Sequence, residues 1–404
     1  MYALLLAVVY VAFVSLGLPD SLVGAGWPVM HGDLGVPVSF AGILTMIIAV
    51  GTIVSSLASD RLNRRLGTGL VTALSVGLTA AALIGFSVSD QFWLLCLWAL
   101  PYGLGAGAVD AALNNYVALH YAARHMNWLH SFWGVGASIS PFIMSHAITS
   151  GAGWPGAYRT VGLIQVVLTA GLFLALPLWR KVNGVVPDVP DGGAPDGEAP
   201  AAQAGDRARG HVPLGRALRI PGVLLMLAAF FSYCALESTA MIWAATFLVS
   251  DRGVAPATAA AFASLFLLGV TAGRFLAGFF ADRLGDRTLI RGGFLAIGAG
   301  AVLIALPVDG LALAGLVLAG LGSAPVYPAI IHATPTNFGR ENSQAVIGIQ
   351  MAAAYLGTTR VPPAFGALSA WTGLGIFPYV IAAFVVLGLL MSERLNARVA
   401  ARAV

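Results

Sequence analysis

Three carboxyl groups stand inside long apolar stretches of this chain: Asp20, Asp110 and Glu237. An ionisable side chain at membrane depth costs at least about 2.5 kcal/mol on insertion scales, so each needs a reason. Low-dielectric surroundings without a fixed cation favour the neutral acid over the carboxylate, which lets such a group take up and release a proton near neutral pH. The competing assignment for each is structural, an arginine partner or the cap of a broken helix. Asp110 is the most informative, because Asn114 follows one helical turn later and presents an amide on the same face. A carboxyl beside an amide suits a hydroxyl-rich ligand. Asn127 and His130 follow at a three-residue spacing on the next helix, and the short connection makes the two helices antiparallel neighbours whose polar faces can converge. The alternative for His130 is a core histidine bonded to a backbone carbonyl, and for Asn127 a helix cap.

Two basic residues also fall within apolar spans. Arg274 lies eight residues before Asp282 on the same helix face, which places it in a structural network near a gate. Arg360 precedes Pro362-Pro363, where missing backbone donors leave carbonyls free, and it can bind an anionic solute or neutralise Glu237.

The elements that must carry these groups follow from composition. Of 404 residues 58% are hydrophobic and 9% charged, with a mean hydropathy of +0.86, so water cannot be the only solvent. Twelve apolar runs, near 2–25, 39–59, 67–88, 92–119, 128–149, 159–179, 220–249, 257–281, 289–307, 311–333, 343–369 and 373–391, have helix-spanning length. They are about twice as long as barrel strands and do not alternate, so helices satisfy the backbone. The first run lacks a small-residue cleavage site, which makes it mature structure rather than a signal peptide. If both termini face one side, nearly all 21 basic residues fall on that side, with only Arg159 and Arg252 opposite and Arg274 and Arg360 within spans. The positive-inside rule then makes that side cytoplasmic. The formal charge of +4 is thus a topological signal and no argument for nucleic acid.

The one long hydrophilic stretch, 181–219, whose part from Pro187 to Gly205 is rich in Pro, Gly, Ala and Asp, reads as a disordered cytoplasmic linker. It separates a bundle of six helices, 1–180, from another of six, 220–404. Local matches support a duplication. Ser56-x-x-x-Asp60-Arg61-x-Asn63-Arg64-Arg65 recurs as Gly278-x-x-x-Asp282-Arg283-x-Gly285-Asp286-Arg287, with Ser56 and Asn63 where the second copy keeps glycine.

This motif resembles the loop-two signature of the Major Facilitator Superfamily. The resemblance implies an all-α polytopic membrane protein of twelve helices in two pseudo-symmetric bundles. Asp60, Arg61, Arg64, Arg65, Asp282, Arg283 and Arg287, with Arg274, would then form a gating latch in which aspartates cap helix ends and arginines bond across the seam. A narrower resemblance lies in Gly107-Ala108-Val109-Asp110-Ala111-Ala112-Leu113-Asn114 and Asn127-Trp128-Leu129-His130-Ser131-Phe132. Both are similar to the fucose/galactose/glucose:proton symporters and to sodium-dependent glucose transporters of the same superfamily. Those symporters have Glu where Asp110 stands and Asn at the position of Asn114, while the fucose transporter has Gln where His130 stands. Gly17-Leu18-Pro19-Asp20 is similar to the segment that carries the family's second acid. Tyr233-x-x-x-Glu237, Trp243 and Gly322-Ser323-Ala324-Pro325-Val326-Tyr327-Pro328 resemble motifs that recur among sugar-transporting and uncharacterised relatives.

The resemblance implies alternating access around a midplane site. Asp110, Asp20 and Glu237 would couple a proton, and Asn114, His130, Asn127, Tyr233, Trp243 and Tyr327 would bind the solute. Trp133, Trp243 and Tyr327 can stack on a pyranose, although packing or interfacial anchoring is the other use of such rings. The expected partners are a sugar, a proton or sodium, and lipid, with a monomer in an inner or plasma membrane. Proton-driven efflux of a drug, metabolite or organic anion is the alternative transporter, and a non-transporting sensor the alternative of another class. The chain has no nucleotide-binding Gly-x-x-x-x-Gly-Lys-Ser/Thr, no catalytic triad, and no CxxC or zinc spacing around Cys96 and Cys234. Neither a cofactor nor a metal is implied, and enzyme chemistry finds no support.

Overall fold

The computed structural model describes residues 2–37, 40–179 and 212–401, and regular structure among them is helical throughout. Most of the expected linker, 181–219, lies outside the described residues. Its last part holds a short helix, α8.

The first six spans are α1 (Tyr2–Asp20) continued by α2 (Leu22–Asp33), then α3 (Ala41–Leu66), α4 (Thr68–Ser87), α5 (Phe92–His120), α6 (Ala123–Thr149) and α7 (Gly153–Leu174). After α8 (Leu214–Arg219) come α9 (Val223–Ser250), α10 (Pro256–Leu284) and α11 (Asp286–Ala305). The chain closes with α12 (Asp309–Ser323) continued by α13 (Val326–His332), the short α14 (Thr334–Phe338), α15 (Arg340–Thr372) and α16 (Phe377–Ala400). All twelve expected spans are present as helices. Ten of the spans are long and apolar enough to cross a membrane. The other two, α6 and α15, run for 27 and 33 residues but carry more polar side chains. Both line the seam between the halves, where side chains meet protein rather than lipid.

Two spans break where the sequence supplies the means. Pro19 lies in the last turn of α1, and the chain turns at Ser21 directly after Asp20. Pro325 and Pro328 remove two backbone donors, and the tenth span divides at 324–325 into α12 and α13. Each break leaves backbone polar groups near a site acid or its partner.

The duplicated motif is helical in both copies rather than a loop. In the second, Gly285 ends α10 at φ +73° and ψ 158°, a conformation reserved for glycine, and α11 starts at the next residue. In the first, Asn63 occupies the matching place and α3 continues for one more turn to Gly67, at φ +79° and ψ 154°. Glycine also permits close helix crossing. A Cβ on Gly107 of α5 would collide with the Thr52 carbonyl of α3, and one on Gly136 of α6 with the Val14 carbonyl of α1.

Candidate functional site

Asp110 sits in the middle of α5, half-buried, where helical spacing aims Asn114 at it. The Asn114 amide donates to Asp110 Oδ1 at 2.8 Å and to the Asp110 carbonyl at 3.0 Å. Its own carbonyl oxygen accepts from His130 Nε2 on α6 at 3.0 Å, which fixes the protonated ring nitrogen. His130 is 5% exposed and stands edge-on to Phe13 of α1 and to Tyr327 of α13, with ring centres 5.4 and 4.8 Å apart. The polar chain Asp110–Asn114–His130 therefore begins inside the first half and ends against the second.

Asp20 receives one donor on each oxygen, Tyr102 Oη at 3.0 Å and Trp133 Nε1 at 2.8 Å. It ties the end of α1 to α5 and α6 through neutral groups.

Glu237 has a different environment. Arg274 Nη2 lies 3.0 Å from its Oε1, and the Tyr233 hydroxyl lies 2.8 Å from the same atom. That hydroxyl is also 2.9 Å from the Ser323 carbonyl at the break between α12 and α13. The Arg274 guanidinium stands 5.9 Å from the Tyr327 ring centre. Glu237 is therefore neutralised by Arg274; Arg360, whose sequence context allows either Glu237 or an anionic solute as its partner, is exposed. The expectation that Arg274 joins a network toward Asp282 is corrected likewise, since its side chain turns into the bundle to the acid on α9.

Two expected solute ligands are engaged elsewhere. Trp243 donates Nε1 to the Pro362 carbonyl at 3.0 Å and packs on Phe365, with ring centres 5.5 Å apart. Asn127 is 1% exposed and donates to the Ala123 carbonyl of its own helix at 3.1 Å. Tyr102 carries no signal in the sequence, since a tyrosine in an apolar run is ordinary packing until its partner is known.

The halves are joined toward the basic end. Asn63 of α3 donates to Gln344 of α15 at 2.7 Å, and Gln344 donates to Ser59 Oγ at 3.1 Å. The Ser343 hydroxyl donates to Asn115 Oδ1 at 2.6 Å. Arg124 pairs with Asp282 at 3.3 Å, and Trp128 Nε1 donates to the Phe275 carbonyl at 3.1 Å. Asp60 accepts from Arg64 within its own helix at 3.0 Å and from the Val212 backbone amide at 3.4 Å. Arg61, Arg65, Arg283 and Arg287 are exposed. Amides and hydroxyls thus do most of the crossing expected of the motif's arginines.

Two helix bundles sealed at one end, with ionisable groups between them at membrane depth, define a multi-pass membrane carrier. The Major Facilitator Superfamily description matches residues 9–255 and 225–396, and this chain belongs to that family. It is 22% identical over 359 residues to an uncharacterised MFS-type transporter of Yersinia pestis, covering 86% of this chain and 85% of that one. It is 24% identical over 283 residues to "Bypass of stop codon protein 6" of Saccharomyces cerevisiae; the match covers 68% of this chain and 56% of the yeast protein. Among solved structures, FucP in the outward conformation superposes with a TM-score of 0.75 at 16% identity, over 96% of this chain and 98% of FucP. The proton:xylose symporter XylE, bound to a bromodeoxyglucose, gives 0.78 at 13% identity, over 98% and 95%. At these identities the likeness is one of fold.

Proposed function

We propose that this chain is a secondary active transporter that takes up a monosaccharide or similar polyhydroxylated solute together with a proton. The observation that carries the reading is Asp110, whose carboxyl is held by an amide rather than a guanidinium and is linked through Asn114 to His130 at the seam. Such an acid can change protonation without breaking an ion pair, and an amide, an imidazole and tyrosine rings suit hydroxyls and a pyranose face. Pairing of Arg274 with Glu237 takes one buried cation out of contention as an anion ligand. FucP and XylE are proton symporters for sugars, which agrees with the reading.

In this mechanism the two halves rock about the central site. Asp110 exchanges the proton, Asn114 and His130 bond solute hydroxyls, and Asp20 couples protonation to binding. The basic end faces the cytoplasm of an inner or plasma membrane, with both termini on that side. The membrane potential then contributes about 2.3 kcal/mol per charge per 100 mV to accumulation.

The test is external pH in lightly buffered, de-energised proteoliposomes as single hexoses, deoxyhexoses, organic acids and cationic drugs are added. Alkalinisation on adding a sugar supports the reading. A response to an acid or drug alone, with labelled sugars immobile even in sodium, replaces it with an anion or drug carrier; the exposed Arg360 is the residue that would favour an anion.

A further inference from the structure

His332 closes α13 at the basic end and lies between two oxygen atoms. Its Nδ1 is 2.8 Å from Asp286 Oδ2, at the first residue of α11. Its Nε2 is 3.2 Å from the Tyr121 carbonyl, just past α5 in the opposite half. A backbone carbonyl only accepts, so Nε2 must carry a hydrogen. The Nδ1 contact then needs a second one, held by the imidazole against a carboxylate or by the carboxyl against the ring. In either arrangement the pair holds one proton more than a neutral histidine beside a carboxylate.

The surroundings favour holding that proton. Asp286 is the first residue of α11, at the positive end of that helix. The other oxygen of Asp286 is buried without a hydrogen-bond partner, so His332 is its compensation. The remaining charged and titratable groups on the elements packed around His332 are largely engaged. Asp282 of α10 pairs with Arg124 of α6; His125 has Tyr10 Oη at 2.8 Å from Nδ1 and Arg124 at 3.3 Å from Nε2; His120 of α5 bonds the Tyr116 carbonyl. Arg287 of α11 is exposed.

We propose that His332 and Asp286 form a second proton-binding site, separate from the membrane-depth acids, that is filled when the basic end is sealed and loses affinity when it opens. Opening removes the Tyr121 carbonyl from Nε2 and admits water. Deprotonation while sealed leaves one ring nitrogen bare. The remaining hydrogen goes either to Asp286, so that a lone pair faces the Tyr121 carbonyl across the seam, or to Tyr121, so that a lone pair faces Asp286 within the second half. Acid on the basic side thus holds the seal, and alkali releases it. This site does not depend on the identity of the transported solute.

The experiment reads distances between spin labels on Leu66→Cys and Leu284→Cys, exposed positions at the basic ends of α3 and α10. The native Cys96 and Cys234 are buried and stay unlabelled. Asp20→Asn and Asp110→Asn in the background remove the two membrane-depth carboxyls that have no cationic partner; the third, Glu237, stays paired with Arg274. Between pH 6 and pH 8 the sealed-to-open ratio is expected to fall by up to about tenfold per pH unit, as one linked proton requires. His332→Gln, whose amide still reaches the Tyr121 carbonyl, should abolish that dependence, and Asp286→Asn should move it to lower pH. If the quadruple background does not fold, His332→Gln is compared with histidine in the otherwise unaltered labelled protein, where the difference in pH slope is the readout. An unchanged slope in His332→Gln, or a flat parent, overturns the proposal.

Discussion

Glu237 has a guanidinium 3.0 Å away, whereas Asp110 has an amide at 2.8 Å. That contrast sets their expected responses to neutralisation. Arg274 is 5% exposed, so Glu237→Gln leaves a buried cation without its counter-ion, a defect worth roughly 3–5 kcal/mol. Thermal unfolding of purified protein should show a marked loss for Glu237→Gln and partial recovery when Arg274→Gln is added. A result in which the double variant unfolds below the single one would contradict the pairing. Asp110→Asn keeps the size of the side chain and breaks no ion pair, so the fold should tolerate it. Solute counterflow should persist while solute-driven proton uptake disappears; full proton uptake in this variant would remove Asp110 from coupling. The Asp110–Asn114–His130 grouping was legible in sequence because four residues on one helix and a short connection fix proximity locally. The Arg274–Glu237 pair was not, because helical spacing also allowed Arg274 a route toward Asp282, and the choice is made by packing between α9 and α10. Tyr102 reaches Asp20 across 82 residues, a separation at which no local rule operates.

Helix ends and crossings rest on a few backbone requirements. Gly67 connects α3 to α4 with φ near +79° and ψ near 154°, and no atom crowds the space where a Cβ would go. Conformation rather than room therefore excludes other residues there, and Gly67→Ala should cost about 1–3 kcal/mol, read as a lower unfolding temperature. Gly107→Val acts differently: its side chain meets the Thr52 carbonyl and should wedge α5 from α3, lowering the yield of folded protein even where Gly67→Ala is tolerated. The twelve spans were legible because hydrocarbon thickness dictates their length. Their ends were not, since helices such as α3 and α10 run past the apolar run into charged residues. Asn63 illustrates the reason. Where the second copy of the motif turns at Gly285, asparagine keeps α3 helical for another turn and carries its own amide to Gln344.

Across the whole molecule, the proposed rocking of the halves requires the seam at the basic end to part and re-form. Cysteines at Asn63 and Gln344, whose side-chain tips are 2.7 Å apart, should be bridged by a short, reducible bis-methanethiosulfonate, which should arrest transport, with activity returning on reduction. Undiminished flux in fully cross-linked protein would mean that the contact stays shut through the cycle. The seam was the least legible region, because its chemistry lies in Asn63, Asn115, Ser343 and Gln344, residue types common on any helix surface, while the charged motif drew attention to itself. That choice of neutral groups has a consequence for speed. A net hydrogen bond between uncharged partners is worth only about 0.5–1.5 kcal/mol, since water takes the place of each lost partner. A clasp made mostly of amides and hydroxyls, with Arg124–Asp282 as its exposed ion pair, can therefore be wetted open largely one bond at a time. On the proposed cycle, such a clasp lowers the cost of opening and so keeps the sealed shape from becoming a trap.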